Sequence, residues 1–317
     1  MIDSFELRYD LSREEIGYFR NKFRCYHNYK ITSADIGFSV PGLTFCVAYN
    51  KYNLQWSMYI KCHLHKLLKK ARISEDDLEG LNYGINCLMA SVFDDEGFDL
   101  SLKRIDYKID VRIDNPIERR MLFGLLNKMS KRHLYMHRCQ NYESSVQYKS
   151  RSKKLIIYDK ESERNAKCAA VESHEENVVR FELQLLNRKL AYHQKKGIPK
   201  NLDSYFTESM HMHFLSGHLK NLVFPGNYYN IYHARKIIKT SEISPNEQDK
   251  LIDFLISISK NGSIDAVKEK NNYRTFKRRI EMLTRLGINP ILIPQNWNTT
   301  RLKNPIKDFI DIQVHTE

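Results

Sequence analysis

The sequence contains no CxxC pair: its six cysteines, Cys25, Cys46, Cys62, Cys87, Cys139 and Cys168, are scattered singly. A zinc site or a disulfide framework needs thiols at set spacings, so neither is expected, and reduced thiols in a cytosol are the natural reading. No run approaches the ~20 apolar residues of a membrane span. The opening MIDSFELRYDLS alternates like a strand and lacks the basic and apolar regions of a secretion signal. Short-period repeats and low-complexity tracts are absent. So is a G-x-x-x-x-G-K-[ST] loop, which excludes a P-loop ATPase.

What remains is an ordinary globular composition with a bias of charge. Of 317 residues, 42% are hydrophobic and 28% charged, enough apolar material for one large domain or two modest ones. The formal net charge is +13. That excess favours an anionic partner, because each Lys or Arg placed on a phosphate releases condensed counterions. A basic protein without a nucleic-acid partner is the alternative.

Local pattern divides the chain into strands followed by helices. Ile2, Phe5 and Leu7 suggest an opening strand, and Gln55–Cys62 another. Ser74 as N-cap, with Asp77 at the third helical position, predicts a helix over 75–92. Lys103–Val111 alternates, with Ile105, Tyr107 and Ile109 on one face and Arg104, Asp106, Lys108 and Asp110 on the other. Asn115, Pro116 and Glu118 then start a helix running to about Lys131. Tyr142–Tyr148 and Lys154–Lys160 are expected to form a β-hairpin across residues 149–153. Val178–Leu185 alternates with Arg180, Glu182 and Gln184 outward, and a short helix ends near Gly197 and Pro199. Beyond Ser241 the pattern is helical, over 246–259 and 273–286. The expectation is an α+β protein: an antiparallel sheet with helices packed on one face, as one sheet or two related sheet halves, plus a C-terminal helical segment. In sequence terms this gives an N-terminal α+β part (1–100), a central core (101–240) and a C-terminal helical segment (241–317) that is a candidate for binding DNA.

If the central strands share a sheet, their polar faces bring carboxylates and a tyrosine to its uncovered side. Hard oxygen ligands suit a divalent cation, and a tyrosine can attack a phosphodiester. Each piece alone also fits a solvated strand face, and periodicity does not identify a nuclease.

A series of blocks in order goes further: Arg104-Ile105-Asp106, then QNYESSV at Gln140–Val146, LIIYDKESE at Leu155–Glu163, VVRFELQL at Val178–Leu185, and KKGIP near Gly197. Together they resemble the replication initiators of filamentous phages, the gene II protein family, and more distantly the rolling-circle plasmid initiators. The opening Met1-Ile2-Asp3 and YRTFKRRIEMLTRLGI near the C-terminus are similar as well. The resemblance implies a rolling-circle initiator that nicks an origin through a 5′-phosphotyrosine and later religates the displaced strand. The nicking tyrosine would fall on Tyr158, with Lys160 as the basic residue two positions on. Asp106, Glu143 and Glu182 would match acidic positions of a Mg²⁺ or Mn²⁺ site, and Asp110 is a weaker match. Arg104, Arg151, Arg180, Lys277 and Arg278 are the candidate DNA contacts. Partners would be circular double-stranded and single-stranded DNA at a replication origin, with a separate host helicase and polymerase, no membrane, and a bacterial cytoplasm as the setting.

Several alternatives stay open at this point. Tyr148, in QYKSR, is the rival nucleophile. His63-Leu64-His65 and His211-Met212-His213 have the His-hydrophobic-His pattern of a cation-binding pair if the triplet lies on a strand. The basic run Lys268, Lys270, Arg274, Lys277, Arg278 and Arg279, with Tyr273 and Phe276 interleaved, fits phosphate contacts or a solvated helix face. At the level of function, a plasmid-mobilisation relaxase and a DNA-binding protein without cutting activity are the rivals.

Overall fold

The computed structural model describes residues 1–311 apart from 27, 95–97 and 134, and leaves aside the side chains of 140, 141, 310 and 311. Along the chain run β1 (Ile2–Leu11), α1 (Arg13–Phe23), β2 (Lys30–Thr32), β3 (Leu43–Asn50), β4 (Gln55–His63), α2 (Leu64–Leu68), α3 (Leu78–Phe93) and β5 (Ser101–Arg112). Then come α4 (Pro116–Leu126), β6 (Arg132–His133), β7 (Met136–Tyr142), β8 (Ser145–Lys149), β9 (Lys153–Asp159), α5 (Lys160–Ala166), β10 (Val178–Leu186) and α6 (Asn187–Gln194). The remainder is α7 (Glu208–Leu222), β11 (Tyr228–Tyr229), α8 (Ile231–Lys239), α9 (Pro245–Lys260), α10 (Ile264–Lys270), α11 (Tyr273–Arg285), β12 (Arg301–Leu302) and α12 (Lys307–Asp311). The fold is α+β, with a helical C-terminal segment, as the alternation of patterns predicts.

Two compact units divide the chain: Met1–Ile109 with Arg151–Lys154 and Glu182–His211, and Asp110–Ser150 with Leu155–Phe181 and Met212–Glu317. In the first, the strand order is β2-β3-β4-β1-β5-β10; in the second it is β5-β10-β9-β8-β7-β6. β5, β9 and β10 each contribute residues to both.

In the first unit, β4 pairs antiparallel with both β3 and β1, and β1 with β5. Phe5, Leu7, Phe45, Val47, Met58 and Ile60 alternate into a core that also buries Ile16 and Phe19 of α1 and Leu81, Ile85, Leu88 and Val92 of α3. Both helices are capped by their sequence. Ser12 and Glu15 make a reciprocal capping box, with Ser12 Oγ accepting from the Glu15 amide at 3.1 Å and Glu15 Oε2 from the Ser12 amide at 2.6 Å. Ser74 and Asp77 do the same at the 3₁₀ turn that leads into α3. At the exit of α6, Gly197 takes φ +90°, a conformation open to glycine and costly for a side chain.

In the second unit, α4 begins as expected, with Asn115 as cap and Pro116 at its first position. It ends at Leu126 rather than near Lys131. The segment that follows turns back into β6, and Asp265 on α10 accepts hydrogen bonds from the Ser130 hydroxyl and the Lys131 amide. The expected strand 142–148 is two strands, β7 and β8, joined by a tight turn at Glu143-Ser144. α8 and α9 pack together, as do α9 and α10 and α9 and α11. Phe254 meets Phe276 edge-on, with ring centroids 5.7 Å apart. Three buried asparagines tie the loops beyond this bundle. Asn304 Nδ2 donates to the Phe224 carbonyl at 2.6 Å, Asn289 Nδ2 to the Val223 carbonyl at 2.8 Å, and Asn227 Oδ1 accepts from the Asn304 amide at 3.0 Å. Gly226 has no room for a Cβ, which would lie 2.2 Å from the carbonyl carbon of Ile288. Among the described residues no helix is long and apolar enough to cross a membrane.

Candidate functional site

Arg104, Asp106 and Glu182 fall into a polar cluster in the first unit, and Tyr158 and Lys160 into one in the second. In the first, the cross-strand register aligns His63 of β4 with Ser4 of β1, and Ser4 with Asp106 of β5. The next row aligns Lys61, Glu6 and Arg104. Ser4 Oγ donates to Asp106 Oδ2 at 2.6 Å, and the Arg104 guanidinium reaches both Asp106 oxygens, at 2.6 to 3.1 Å. Glu182 on β10 accepts from Gln184 at 2.8 Å and is close enough to Asp106 for its charge to be felt there.

The polar strand face is expected to lie open, and here the structure differs. Asp106 is 1% exposed and Glu182 6%. Charges of opposite sign on neighbouring positions neutralise one another, so the face is buried as a paired network instead of being solvated. Burial pushes the Asp106 carboxyl up; Arg104 opposes that shift and the Glu182 charge adds to it.

His63 and His65 do not form a pair on one strand face, because β4 ends at His63 and α2 begins at Leu64. The His65 ring is engaged on its own terms: Nδ1 bonds the Lys70 carbonyl at 2.8 Å, and Nε2 meets the Lys108 ammonium and lies 3.7 Å from Asp3. Burial, with Lys61 nearby, lowers the His63 pKa. His211 is buried on α7 with Nε2 bonded to the Lys108 carbonyl at 2.9 Å, and burial drives its pKa down to about 4. A helix turns residues two apart to different sides, so the second triplet is not a ligand pair either. Arg151 is exposed in the turn before β9.

In the second unit, Tyr158 lies near the end of β9 with its ring half-buried. Tyr148 is fully buried on β8; its hydroxyl donates to the Ser130 carbonyl at 2.6 Å, and burial raises its pKa to about 12. Asp159 caps α5, its side chain accepting from the Ser162 amide at 2.9 Å, and its amide donates to the Ser144 carbonyl at 3.0 Å. That last bond holds the Glu143-Ser144 turn beside the end of the Tyr158 strand. Glu143 itself is exposed in this turn instead of standing on a strand face.

Lys160, the first residue of α5, is buried, with Nζ 5.7 Å from the centre of the Tyr158 ring. It is held by Glu163 at 3.0 Å and Glu175 at 3.4 Å. Arg164 binds Glu175 through two bonds of 2.6 Å. Burial alone would raise the Glu175 carboxyl, but the Arg164 hydrogen bonds, the Lys160 and Arg164 charges and the Glu172 backbone overcome it and hold it at about 2. A second hub was not legible in the sequence. The buried Arg119 of α4 reaches Asp159 at 3.0 Å, Glu161 at 2.9 Å, the Ile113 carbonyl at 2.7 Å and the Asn177 side chain.

Arg180, a candidate DNA contact, is 3% exposed and forks onto Asp110 at 2.7 and 2.9 Å. Two partners of opposite charge cover each other, which removes Arg180 from the surface. Lys277 and Arg278 project from α11, paired with Glu281 at 3.7 Å and Glu247 at 2.9 Å and largely exposed. Among the described residues no group of three or more His, Cys, Asp or Glu is placed to hold a metal ion. Asp106, its carboxylate engaged by Arg104 and Ser4, is not a vacant ligand, so the residues as arranged do not fit a bound cation.

The net charge of +13 on this α+β scaffold fits the class of proteins that handle nucleic acid. Residues 47–211 match the family model for the N-terminal part of the phage gene II replication-associated protein. The match spans more than half the chain, which therefore belongs to that family and is a replication-associated protein of the phage gene II type. All five blocks that carry the resemblance lie inside the matched stretch. No curated protein matches the chain.

Proposed function

We propose that this replication-associated protein initiates rolling-circle replication by nicking one strand of a circular phage or plasmid DNA with Tyr158. The Tyr158 hydroxyl loses its proton and its oxygen attacks the scissile phosphorus. The bond to the 3′ oxygen breaks, and that oxygen takes up a proton to become the 3′-hydroxyl. The products are a 5′-phosphotyrosine and a free 3′-hydroxyl on which a host polymerase can extend. Attack by a 3′-hydroxyl on the phosphotyrosine reverses the step and closes the displaced circle without ATP.

One observation carries the choice of nucleophile: of the two candidate tyrosines, Tyr158 is half-exposed with a lysine ammonium over its ring, whereas the Tyr148 hydroxyl is buried in a hydrogen bond. The buried pairs of Lys160 and Arg119 make them positioning residues that fix the β9–α5 junction. Origin duplex and single-stranded DNA are the proposed partners, with the exposed Lys277, Arg278 and Arg151 as contacts and a host helicase for unwinding. Dependence of nicking on Mg²⁺ or Mn²⁺ belongs to the same proposal, without Asp106 as a ligand while Ser4 and Arg104 hold its carboxylate.

The test is a supercoiled plasmid bearing the cognate origin, incubated with Mg²⁺ or Mn²⁺ and, in a parallel reaction, with EDTA from the start. The wild type is expected to give a nicked circle and a covalent adduct that maps to the Tyr158 peptide, and Tyr158→Phe to give neither. An adduct that persists in Tyr158→Phe overturns the assignment. Tight origin binding without nicking under either metal would favour a binding protein. Nicking at a transfer origin would favour a relaxase.

A further inference from the structure

The first unit carries a second surface of pronounced chemistry at the end of the β2-β3-β4 group. Between Ile16 and Ser74 the chain has ten Lys and Arg residues and a single carboxylate, Asp35. Asp35 is engaged locally, accepting from the Thr32 amide and hydroxyl at 2.7 Å. Within this stretch, Arg20, Lys22, Arg24 and Lys30 lie close along the chain to Tyr18, Tyr26 and Tyr29.

The fold gathers these aromatics into a row. Tyr49 and Trp56 are direct cross-strand partners on β3 and β4, with rings 5.3 Å apart. The Tyr49 amide donates to the Tyr29 carbonyl at 2.9 Å, which brings the Tyr29 ring to 6.1 Å from that of Tyr49. Cations stand at both ends: the Arg20 guanidinium lies 4.5 Å from the Trp56 ring and the Lys51 ammonium 5.8 Å from the Tyr29 ring. Beyond the row, the turn from β3 to β4 holds Tyr52 fully in solvent, next to Lys51. Tyr29 is 65% exposed and Tyr26 51%. Tyr49 and Trp56 are half-buried and act as the floor that holds Tyr29 upright.

Large rings left in water gain nothing for the folded monomer, and here they recur beside lysines and arginines in a stretch of chain with a single carboxylate. Single-stranded nucleic acid has this complement. Its bases stack on aromatic faces regardless of sequence, and its phosphates take the cations. A lipid surface would call for protruding aliphatic side chains, and Leu54 is the one large aliphatic residue exposed at this turn. We infer that the Tyr29–Tyr52 face of the first unit is a binding platform for single-stranded DNA of no defined sequence. Bases stack on Tyr29 and Tyr52, and phosphates lie against Lys30, Lys51 and Arg24. The choice of DNA rests on the replication reading above; the stacking surface does not depend on Tyr158.

The experiment is fluorescence anisotropy of the full chain with a labelled oligo-dT of about 15 nucleotides, a length within the span of single-strand-binding surfaces, in EDTA and without any origin sequence. Under these conditions a failure of the nicking reading leaves the measurement unchanged. Tyr29→Ala with Tyr52→Ala should weaken binding by about tenfold per ring. Tyr29→Phe with Tyr52→Phe should keep it, since stacking needs the ring and not the hydroxyl. Thermal melting shows whether each variant is folded, and Tyr52→Ala alone, at a solvent-exposed turn, provides the reading if the double variant is not. Unchanged oligo-dT binding in a folded alanine variant overturns the proposal. An equal loss for a random duplex overturns it as well, because the surface would not then select single strands. A loss confined to vesicles of phosphatidylcholine and phosphatidylserine overturns it in favour of a membrane contact.

Discussion

Replacing Glu175 with Gln removes one charge from the network that holds Lys160 and Arg164 at the start of α5, with little change of shape. The Glu175 side chain is buried, and its carboxyl is held at about 2 against an ordinary 4.5. That difference corresponds to about 3 kcal/mol of stability near neutral pH. The folded pKa is depressed, so this stability is fully present above the unfolded value of 4.5 and is lost as pH falls toward 2. The contribution falls to about 1.5 kcal/mol at pH 3. Glu175→Gln is therefore expected to lower the unfolding free energy by about 3 kcal/mol at pH 7 and by about half of that at pH 3. Urea titrations of wild type and variant at pH 7, 5, 4 and 3, followed by circular dichroism, give both numbers. A loss below about 0.5 kcal/mol at pH 7, the size of an ordinary surface change, would refute the reasoning. So would a loss that stays constant down to pH 3.

Other expectations follow from the same geometry. Tyr148→Phe should retain any covalent adduct and cost about 1 kcal/mol in urea unfolding, since it removes one buried hydrogen bond to the Ser130 carbonyl. Asn304→Ala, which strips the Phe224 and Gly226 carbonyls of a buried donor, should cost about 2 kcal/mol by the same assay. Asp110→Asn leaves the Arg180 guanidinium buried without its counter-charge and should cost about 3 kcal/mol, whereas Arg112→Ala at the exposed end of β5 should cost under about 1 kcal/mol. Lys277→Ala with Arg278→Ala should leave stability within about 0.5 kcal/mol. The pair should also reduce the salt dependence of origin-duplex binding by up to about two phosphate contacts; an unchanged slope would make α11 a solvated helix face.

Much of the scaffold is legible in local chemistry. Ser74 with Asp77, Asn115 with Pro116, and Gly197 mark helix ends because each satisfies or releases backbone groups within a few residues. The strands Gln55–His63 and Val178–Leu186 follow from their apolar alternation. The Glu143-Ser144 turn and the early end of α4 are less visible. The first lies inside Tyr142–Tyr148, whose pattern predicts one unbroken strand, and the second depends on Asp265, which is distant in the chain and meets Ser130 and Lys131 only in the folded protein.

The polar residues show the division most clearly. By itself, the sequence determines that Arg104, Asp106, Arg180 and Glu182 share the non-core face of their strands, because side-chain alternation along a strand is a local property. The ordered blocks around Tyr158 place the chain in its family. Only the tertiary structure decides which charges meet: Arg104 with Asp106, Arg180 with Asp110, Lys160 with Glu175, and Arg119 with Asp159. Those pairings set which groups are buried and which are left for a ligand, because desolvation and Coulomb attraction depend on distance in space and not along the chain. The aromatic row of Tyr29, Tyr49 and Trp56 has the same origin, since strand pairing aligns residues that the sequence leaves apart.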